Sequence, residues 1–525
     1  MQNNRRQFLK NSFSTFLGAY TALNSLGLSA KTTKKNNILF ITIDDLNAWI
    51  MGSQRHPLVK CPNLDKLMQT SISFTNAHCA APVCAASRAA LMTGVAPHES
   101  GMYTNAQSAS TGTRRANAHI VINDVPHLTT LFKENGYHNV GAGKIYHRWV
   151  SDEAEHSKHY HDFMPELVIP DKIKEHGDGY AGYKFYPFPV DNPVVDNLGH
   201  KSGQSLVAGA VDRNTNMFDK KMPDELIADW LCNKLLELGK TVNPKPFFMT
   251  AGFLRPHVPY TAPQEYFDAI DRDKITLPSV DDMLDIPEYG KAMTMGLIPG
   301  GDHKAVSDLG EEYWKDLMHG YLASIAFVDD QLGKVLRALN DSGNAENTWI
   351  FVMSDHGQNF GEKQNWRKMC LWDESTRTPL IVSPPRGAKK KVTVDQVVSL
   401  LDVYPTLCSI SNLPQHNKIA GQSLLPIINN APYRRSERTV LISWHYKNYA
   451  VKASRYKLIQ YRDGSEELYD TQEDPLERTN LITQNKFQPI VESLRSHIPS
   501  SPSLPVGMSE WKGDSLDAIV GKVNS

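Results

Sequence analysis

The chain has 525 residues, 41% of them apolar, and a formal net charge of −1 at pH 7. A chain of this length and composition can bury a sizeable core, and it lacks the overall basic excess of proteins that bind nucleic acid. Its six cysteines are widely spaced and resemble neither a zinc ribbon nor a disulfide scaffold, which argues against both classes.

The first 30 residues predict an export signal. Arg5-Arg6 lies in the pattern of a twin-arginine leader, and a moderately apolar stretch follows at 13–28 and ends near Ala30. The Ser, Thr and Asn residues of that stretch make it too polar for a membrane span. We therefore expect a twin-arginine signal peptide at 1–30, no membrane span and a periplasmic or secreted protein. A Sec leader that happens to contain two arginines is the alternative.

The first predicted strand is a nearly continuous apolar run from Asn37 to Ile43, and it ends in Asp44-Asp45. Such a run is typical of a parallel strand that is buried on both faces, and open α/β sheets bind ligands at the carboxyl ends of their strands. A turn or helix cap would explain one aspartate, whereas two adjacent carboxylates repel each other unless a cation lies between them. Asp44 and Asp45 are therefore candidate metal ligands.

A short motif on the flank of the next predicted helix combines Cys84 with Arg88, four residues later. Taken alone, such a cysteine is usually a buried inert thiol, and such an arginine is usually a surface charge. The motif predicts catalysis only if the rest of the chain supports it.

Two further segments carry basic side chains next to predicted strands. One contains Lys144 and His147, and the other reads Arg-Pro-His-Val-Pro-Tyr at 255–260, after the predicted strand from Pro246 to Phe253. Each segment alone is compatible with a surface loop or a stiff extended stretch. Their joint occurrence near predicted strand ends favours a common site.

A second strand with a polar end runs from Thr348 to Ser354, and Asp355-His356-Gly357 follows it. Together with Asp44-Asp45, this strand end supplies three carboxylates and an imidazole. A ligand set rich in oxygen favours Ca²⁺ or Mg²⁺ over zinc.

The alternation of apolar runs with helical patterns predicts an α/β fold with a mostly parallel central sheet flanked by helices. A further strand is predicted at Thr378–Ser383, and residues 151–222 are predicted to be long insertions near the pocket rather than a domain. The predicted helices are Ser87–Thr93, Leu128–Glu134, Pro223–Leu238 and Glu312–Asn340.

A domain boundary is predicted near Pro432, which gives a large domain at 31–432 and a smaller α+β subdomain at 433–525 with a small antiparallel sheet. The tail from Pro499 onward is expected to be extended, either packed over the site or disordered. The predicted strands of the small sheet are Ser443–Tyr446, Tyr456–Ile459 and Glu467–Asp470.

The order of these motifs resembles that of the type I sulfatases of the alkaline phosphatase superfamily, closest to the iduronate-2-sulfatase-like branch. The resemblance covers most of the chain after the leader and implies the alkaline-phosphatase-like sulfatase fold, a sulfatase catalytic domain at 31–432 and the hydrolysis of sulfuric esters. The matching segments are 41–46, 82–88, 131–137, 143–147, 255–260, 354–357, 361–368 and 467–481.

The resemblance implies that a maturation enzyme oxidises Cys84 to formylglycine, and that the hydrate of this aldehyde attacks sulfur. Asp355 would activate the attacking hydroxyl, and Arg88 would hold the hydrate and balance the carboxylates. The implied ligands of Ca²⁺, or alternatively Mg²⁺, are Asp44, Asp45, position 84, Asp355 and His356.

The remaining candidates would handle the sulfate group and the protons. Lys144 and Lys368 would bind sulfate oxygens, although Arg367 is an alternative to Lys368. His257 would protonate the leaving oxygen, and His147 would take the proton released when the aldehyde re-forms.

Two positions depart from the family pattern. Ala86 stands where the commonest oxidation motif has proline, so the identity of the maturing enzyme is open. Arg255 stands where relatives often carry lysine, and its planar fork is expected to change contacts with the substrate.

The branch, the leader and the insertions suggest a bacterial enzyme that removes sulfate from a polysaccharide such as carrageenan, ulvan, fucoidan or a glycosaminoglycan, or from its oligosaccharides. The expected partners are this sulfated carbohydrate and the maturation enzyme, and the chain is a monomer or a homo-oligomer. Insertion residues that would either contact sugars or pack within loops are His156, His159, Tyr160, His161, Tyr180 and Tyr183.

Two other interpretations stay open. A phosphonate monoester hydrolase or phosphodiesterase of the same superfamily shares the formylglycine and the metal site, and it would turn over phosphate diesters faster than sulfate monoesters. A non-catalytic polysaccharide-binding relative would keep Cys84 as a thiol.

Overall fold

The computed structural model describes most of the chain from residue 35 onward. The predicted signal peptide, the predicted boundary near Pro432 and most of the predicted insertions lie outside the described residues. The described ranges are 35–52, 55–105, 125–147, 153–164, 206–211, 221–242, 244–280, 283–294, 301–387, 391–429 and 438–523.

The described residues contain the following strands. They are β1 Asn37–Ile43, β2 Ile72–His78, β3 His138–Gly143, β4 Asp162–Met164, β5 Ala208–Val211, β6 Phe247–Phe253, β7 Tyr260–Pro263, β8 Thr348–Ser354, β9 Asn359–Phe360, β10 Trp366–Arg367, β11 Arg377–Ser383, β12 Val392–Val394, β13 Val398–Ser399, β14 Val440–Ser443, β15 Tyr449–Lys452, β16 Tyr456–Gln460 and β17 Glu466–Asp470.

The central sheet has nine strands in the order β12-β2-β11-β8-β1-β6-β3-β4, with β13 paired to β2. Neighbouring strands are parallel except for β11, which runs antiparallel to both β2 and β8. The prediction of a mostly parallel sheet is confirmed, and β1 and β8, the two strands with acidic ends, are adjacent.

Strand β1 is buried on both faces, as its continuous apolar run predicts. Ile38 and Phe40 pack into one hydrophobic cluster, while Leu39, Ile41 and Ile43 pack into another. Helices cover both faces, so the sheet is the middle layer of a three-layer structure.

Three of the four predicted helices, those at 128–134, 223–238 and 312–340, begin and end within two residues of their predicted bounds. The helices of the described residues are α1 Pro62–Met68, α2 Cys84–Thr93, α3 Pro97–Ser100, α4 Leu128–Glu134, α5 Glu153–His159, α6 Pro223–Lys240, α7 Gln264–Asp268, α8 Glu288–Thr294, α9 Gly301–Leu309, α10 Glu311–Asp341, α11 Asp373–Thr376, α12 Val403–Ser411, α13 Leu425–Ile428, α14 Gln488–Arg495 and α15 Ser515–Val523. The prediction that α2 begins at Ser87 is wrong, because the helix begins at Cys84 itself.

A second sheet, antiparallel and in the order β14-β15-β16-β17, lies near the end of the chain. The prediction of a strand at Ser443–Tyr446 is wrong: β14 ends at Ser443, and β15 was not predicted. A tight turn accounts for the difference, since His445 has a φ of 57° and the N–H of Trp444 donates to the carbonyl of Asn448 over 3.1 Å.

The tail is extended at first, as predicted, but it ends in helix α15, which the sequence analysis missed. The N–H of Ser503 donates to the carbonyl of His98 over 2.8 Å. Leu516 is buried in the cluster that also contains Val83, the residue before Cys84, and Ala86, two residues after it. The tail therefore packs beside the segment that carries Cys84.

None of the helices in the described ranges combines the length and the apolar character needed to cross a membrane.

Candidate active site

The parallel pairing of β1 with β8 brings the two acidic strand ends together. The last residues of the two strands lie opposite each other, so Asp44-Asp45 and Asp355-His356 leave the sheet at the same edge. The N–H of Asp45 donates to Oδ1 of Asp355 over 3.3 Å. All four side chains are fully buried, which places the predicted metal ligands in one small volume.

The loop after β1 is held by the long helix α10. The hydroxyl of Tyr321 donates to the carbonyl of Asp45 over 2.7 Å and accepts from the N–H of Asn47 over 2.8 Å. Asp45 has a φ of 61°, a left-handed conformation that aspartate adopts more readily than most residues. The helix thus fixes the turn that directs the two aspartates.

Cys84 is the first residue of α2 and is 1% exposed. Its Sγ lies 3.2 Å from Nε2 of His356 and 3.3 Å from Nζ of Lys368. The thiol therefore lies among the candidate catalytic groups and not on the protein surface.

Arg88 lies one turn further along α2 and is fully buried. Its Nε donates to Oδ2 of Asp355 over 2.9 Å, and Nη2 donates to Oδ1 of Asp44 over 3.1 Å. Nη1 donates to the carbonyl of Lys144. The guanidinium therefore bridges the carboxylates of two different strand ends, which is why a cysteine and an arginine four residues apart are useful on one helix face.

Two lysines complete the ring of charges. Lys144 Nζ binds Oδ2 of Asp44, and Lys368 Nζ binds Oδ1 of Asp45. Arg367, the alternative to Lys368, turns away and pairs with Asp302, with its Nε 2.8 Å from Oδ2. Of the two neighbouring cations, Lys368 is the one that contacts Cys84 and Asp45.

Two histidines present the same ring atom to this centre. Nδ1 of His356 lies 2.9 Å from the carbonyl of Gly357, and Nδ1 of His257 lies 2.7 Å from the carbonyl of Val258. Because each Nδ1 is held by the following carbonyl, Nε2 is the atom left to face the site. Nε2 of His257 is 3.9 Å from Oδ2 of Asp45.

His147 and Arg255 occupy different environments. His147 is partly buried, three residues after Lys144 in the loop that follows β3. Arg255 is fully buried and bonds to its own segment, including the carbonyl of His257. In this conformation the guanidinium of Arg255 bonds to residues of its own segment, and its expected effect on contacts with the substrate stays a prediction.

The charges of the site shift each other's pKa values. Burial alone would raise the pKa of Asp44, but Lys144, His257 and Arg88, in that order, hold it well below its usual value. Burial raises the pKa of Asp45 despite the opposing charge of Lys368. The two adjacent carboxylates are therefore inequivalent, and Asp45 is the one whose negative charge is less well compensated.

The thiol of Cys84 is a weak acid in this environment. Burial, and then the negative charge of Asp44, raise its pKa to about 12. Because the thiolate and not the thiol is the nucleophile, an unmodified Cys84 is a poor nucleophile near neutral pH.

Three of the described insertion residues make contacts within the protein, and a role in binding sugars stays a prediction. His159 is buried, with Nδ1 2.8 Å from the Thr129 hydroxyl, and Tyr160 is buried, with its hydroxyl 2.9 Å from that of Thr250. His161 is exposed and stacks on His138, outside the active centre. Tyr180 and Tyr183 lie outside the described residues, as do most of the other insertion positions.

Several positioning residues were missed by the sequence analysis. Ser87, inside the motif, donates its hydroxyl to the carbonyl of Asp355 over 2.5 Å, and Asn105 accepts from the N–H of Ala85 over 2.9 Å. The place of Ser87 in the motif was a signal for it, whereas nothing in the local sequence pattern distinguishes Asn105 from an ordinary loop asparagine.

The possible metal ligands among the described residues fall into two overlapping groups. One contains Asp44, Cys84, Asp355 and His356, and the other contains Asp44, Asp45, Cys84 and His257; the ligand atoms of each group lie within 4.8 Å of one another. The structure thus contains a possible acidic metal site beside Cys84.

Comparisons with known proteins identify the family to which the chain belongs. Residues 36–413 match the family model described as sulfatase, and residues 361–502 match the model described as N-sulphoglucosamine sulphohydrolase, C-terminal. A sulfatase of Formosa agariphila is 34% identical over 477 residues, which are 90% of this chain and 88% of that protein. The iduronate 2-sulfatase of Mus musculus is 28% identical over 457 residues, 77% of this chain and 74% of that protein.

Two solved structures share the fold. A 2-O GAG sulfatase superimposes with a TM-score of 0.63 at 23% identity, covering 88% of this chain and 91% of the other. The phosphonate monoester hydrolase of Agrobacterium radiobacter superimposes with a TM-score of 0.67 at 20% identity, covering 89% and 96%. At these identities the structural likeness shows the fold alone, but the family model spans most of the chain. The chain therefore belongs to the sulfatase family of enzymes.

Proposed function

We propose that this sulfatase removes sulfate from a sulfated polysaccharide or its oligosaccharides, with Cys84 oxidised to formylglycine and Ca²⁺ or Mg²⁺ bound beside it. The observation that carries the proposal is the convergence of buried carboxylates, imidazoles and ammonium groups on the side chain of Cys84. A buried thiol with a raised pKa would be a poor nucleophile, and formylglycine supplies a reactive hydroxyl through its hydrate.

The residues around Cys84 fit a hard divalent cation. Oδ2 of Asp45 is buried and has no hydrogen-bond partner among the residues that the structure describes, an arrangement that is costly unless another group compensates the charge. When bound, the ion would supply positive charge beside the sulfate oxygens and the nucleophile. The residues that would hold it are Asp44, Asp45, Asp355 and His356, with position 84, and this oxygen-rich set suits Ca²⁺ or Mg²⁺.

Three cations and a carboxylate prepare the site for a sulfate ester. Lys144 and Lys368 lie at the centre, where their ammonium groups would bind sulfate oxygens and stabilise developing negative charge. Arg88 holds the carboxylates of Asp44 and Asp355 in place, so that Asp355 can accept the proton of the attacking hydroxyl.

Two histidines would move the remaining protons. His257 would protonate the leaving oxygen from Nε2, because Nδ1 is already held by Val258. His147, in the same loop as Lys144, would accept the proton released when the aldehyde re-forms. These roles rest on the family resemblance and on the placement of the two rings.

The relatives support a sulfated carbohydrate as the substrate. They include an iduronate 2-sulfatase, an ulvan-active sulfatase and a 2-O GAG sulfatase. We infer that the substrate of this chain is a sulfated polysaccharide or oligosaccharide of the carrageenan, ulvan, fucoidan or glycosaminoglycan type.

We also infer that the protein is made with a twin-arginine signal peptide at 1–30 and functions in the periplasm or outside the cell, and that a domain boundary lies near Pro432. Mass spectrometry of the N-terminus of the exported protein tests the first inference. Limited proteolysis between 430 and 437 tests the second.

The proposed function is tested by sulfate release from oligosaccharides of the four classes, assayed with Ca²⁺ on protein made together with a formylglycine-generating enzyme. We expect release from at least one class and none from the Cys84→Ala variant. Faster turnover of a phosphonate monoester or phosphate diester would favour the phosphonate hydrolase alternative. Binding of a sulfated polysaccharide without any turnover would favour the non-catalytic alternative.

A further inference from the structure

The segment after β6 is organised around the buried guanidinium of Arg255. Nε donates to the carbonyl of Thr261 over 2.9 Å, Nη2 donates to the Thr261 hydroxyl over 2.8 Å, and Nη1 donates to the carbonyl of His257 over 2.7 Å. The side chain is 0% exposed. These bonds tie the two ends of the stretch 257–261 to one rigid planar group.

The backbone on the other side of Arg255 is anchored by Asp224, a buried residue in the first turn of α6. Its Oδ1 accepts from the N–H of Leu254 over 2.8 Å, and its Oδ2 accepts from the N–H of Arg255 over 2.9 Å. Both carboxylate oxygens are therefore used to fix the point at which the chain leaves the central sheet.

The two anchors determine where the ring of His257 lies. The N–H of His257 donates to the carbonyl of Leu254 over 2.9 Å. Leu254 is itself held in place, because its N–H donates to Asp224. Its carbonyl is held by Arg255, and its Nδ1 by Val258. The backbone on both sides of the ring is fixed, and this leaves Nε2 directed toward the carboxylates of the active site.

We propose that Arg255 and Asp224 are positioning residues for His257 and that neither contacts the substrate. The inference rests on the proposed function, in which His257 protonates the leaving oxygen. Proton donation requires Nε2 of His257 to lie within hydrogen-bond distance of the leaving oxygen. A displacement of the ring by about 1 Å can lower the rate about 100-fold. Arginine suits this position because one planar group reaches acceptors on both ends of the segment, whereas a lysine ammonium is a single compact centre.

The test compares two substrates that differ in how much they need a proton donor. A sugar sulfate releases a strongly basic alkoxide, whereas 4-nitrophenyl sulfate releases a weakly basic phenolate. We expect Arg255→Lys and Asp224→Asn to lower kcat on the sugar sulfate by about 100-fold and on the aryl sulfate by less than about threefold. Thr261→Val, which removes one acceptor and keeps the side-chain shape, should show the same selectivity with a loss of about three- to tenfold on the sugar sulfate.

A matched control is Arg438→Lys. Arg438 is a mostly buried arginine that pairs with Asp402, which also accepts from two backbone N–H groups, and it contacts none of the described site residues. This variant should change the melting temperature without selectivity between the two substrates. A purely structural role of Arg255 would give the same result as the control.

Equal losses on both substrates in the Arg255, Asp224 and Thr261 variants, or no loss on either substrate, would overturn the positioning role. His257→Gln separates this failure from a failure of the proposed function. If His257→Gln lowers kcat selectively on the sugar sulfate and the other three variants do not, the positioning inference alone is wrong. If His257→Gln lowers kcat equally on both substrates, the general-acid role of His257 is wrong, and the positioning inference is then wrong as well.

Discussion

Two clusters of buried charges in this molecule differ in what their charges face. The Cys84 cluster contains Asp44, Asp45, Asp355, Arg88, Lys144 and Lys368, and its members surround the Cys84 side chain. The Lys457 cluster contains Lys457, Asp373 and Glu477. In it, Lys457 Nζ lies 2.8 Å from Oδ1 of Asp373 and 3.0 Å from Oε1 of Glu477.

Burial and charge alone do not distinguish the two clusters, because both contain ion pairs that are almost completely hidden from solvent. The Lys457 cluster joins strand β16 of the small sheet to helix α11, which begins five residues after Lys368, so its charges face one another across a structural junction. Within the described residues, both groups with metal-ligand geometry include Cys84, and neither includes Asp373 or Glu477. Convergence on one side chain, that of Cys84, and not burial, is what indicates a site.

The largest effect is expected from Cys84→Ala. Removing the nucleophile should lower sulfate ester hydrolysis by at least about 1,000-fold, since catalytic units lose most of their activity with any essential member. The melting temperature should change little, because a small buried side chain is replaced by one that fits the same space. Sulfate release and thermal unfolding, measured on one preparation, check both expectations.

A pair of matched variants contrasts the two clusters directly. Lys457→Met should lower the free energy of unfolding by about 3–5 kcal/mol, because it removes the buried cation that pairs with both Asp373 and Glu477. Lys368→Met should lower kcat by about 100-fold or more through lost stabilisation of the sulfate charge. The comparison uses denaturant unfolding and kcat of both variants. The contrast between the clusters is lost if Lys457→Met lowers kcat as strongly as Lys368→Met at a temperature where both are folded.

Calcium should stabilise the protein through the Cys84 cluster and not through the Lys457 cluster. Ca²⁺ at 100 times its dissociation constant adds about 2.7 kcal/mol to the free energy of unfolding of a protein that binds it only when folded. We expect EDTA to lower the melting temperature of the wild type and of Lys457→Met by similar amounts. The Asp45→Asn variant should respond much less, and an equal response in that variant would exclude Asp45 as a ligand.

The smallest effect concerns the pH dependence of stability. Burial, opposed by Lys457 and assisted by Asp373, raises the pKa of Glu477 from 4.5 to about 7. The folded protein therefore keeps a proton that the unfolded chain releases, so stability should fall as pH rises from 4.5 to about 7. Glu477→Gln should reduce the dependence of the melting temperature on pH over this range. Glu473→Gln, which changes an exposed carboxylate, should keep the wild-type dependence.

The sequence was sufficient to predict which side chains lie together at the ends of the parallel strands. Asp44-Asp45 and Asp355-His356 could be assigned to one edge because parallel strands end together, and the central sheet confirms that logic. The family model and the relatives confirm the assignment to the sulfatases, while the roles of the individual site residues stay predictions.

Features that depend on local backbone geometry could not be predicted. Lys368 faces Cys84 and Arg367 turns away because Arg367 and Met369 both take left-handed conformations, with φ of 66° and 76°. A simple alternation of side chains does not apply in such a segment. Asp224 illustrates a different limit: an acidic residue after proline at a helix start is typical of a helix cap, and only the fold shows that it holds the N–H groups of Leu254 and Arg255.

The central claim is that Cys84 is the precursor of the nucleophile, and peptide mass spectrometry tests it most directly. Protein made with a formylglycine-generating system that accepts Ala86 should yield a Cys84 peptide lighter by about 18 Da, the change expected when a thiol becomes an aldehyde. The same peptide from cells without that system should retain the thiol mass. A Cys84 that remains a thiol in protein that still releases sulfate would contradict this account.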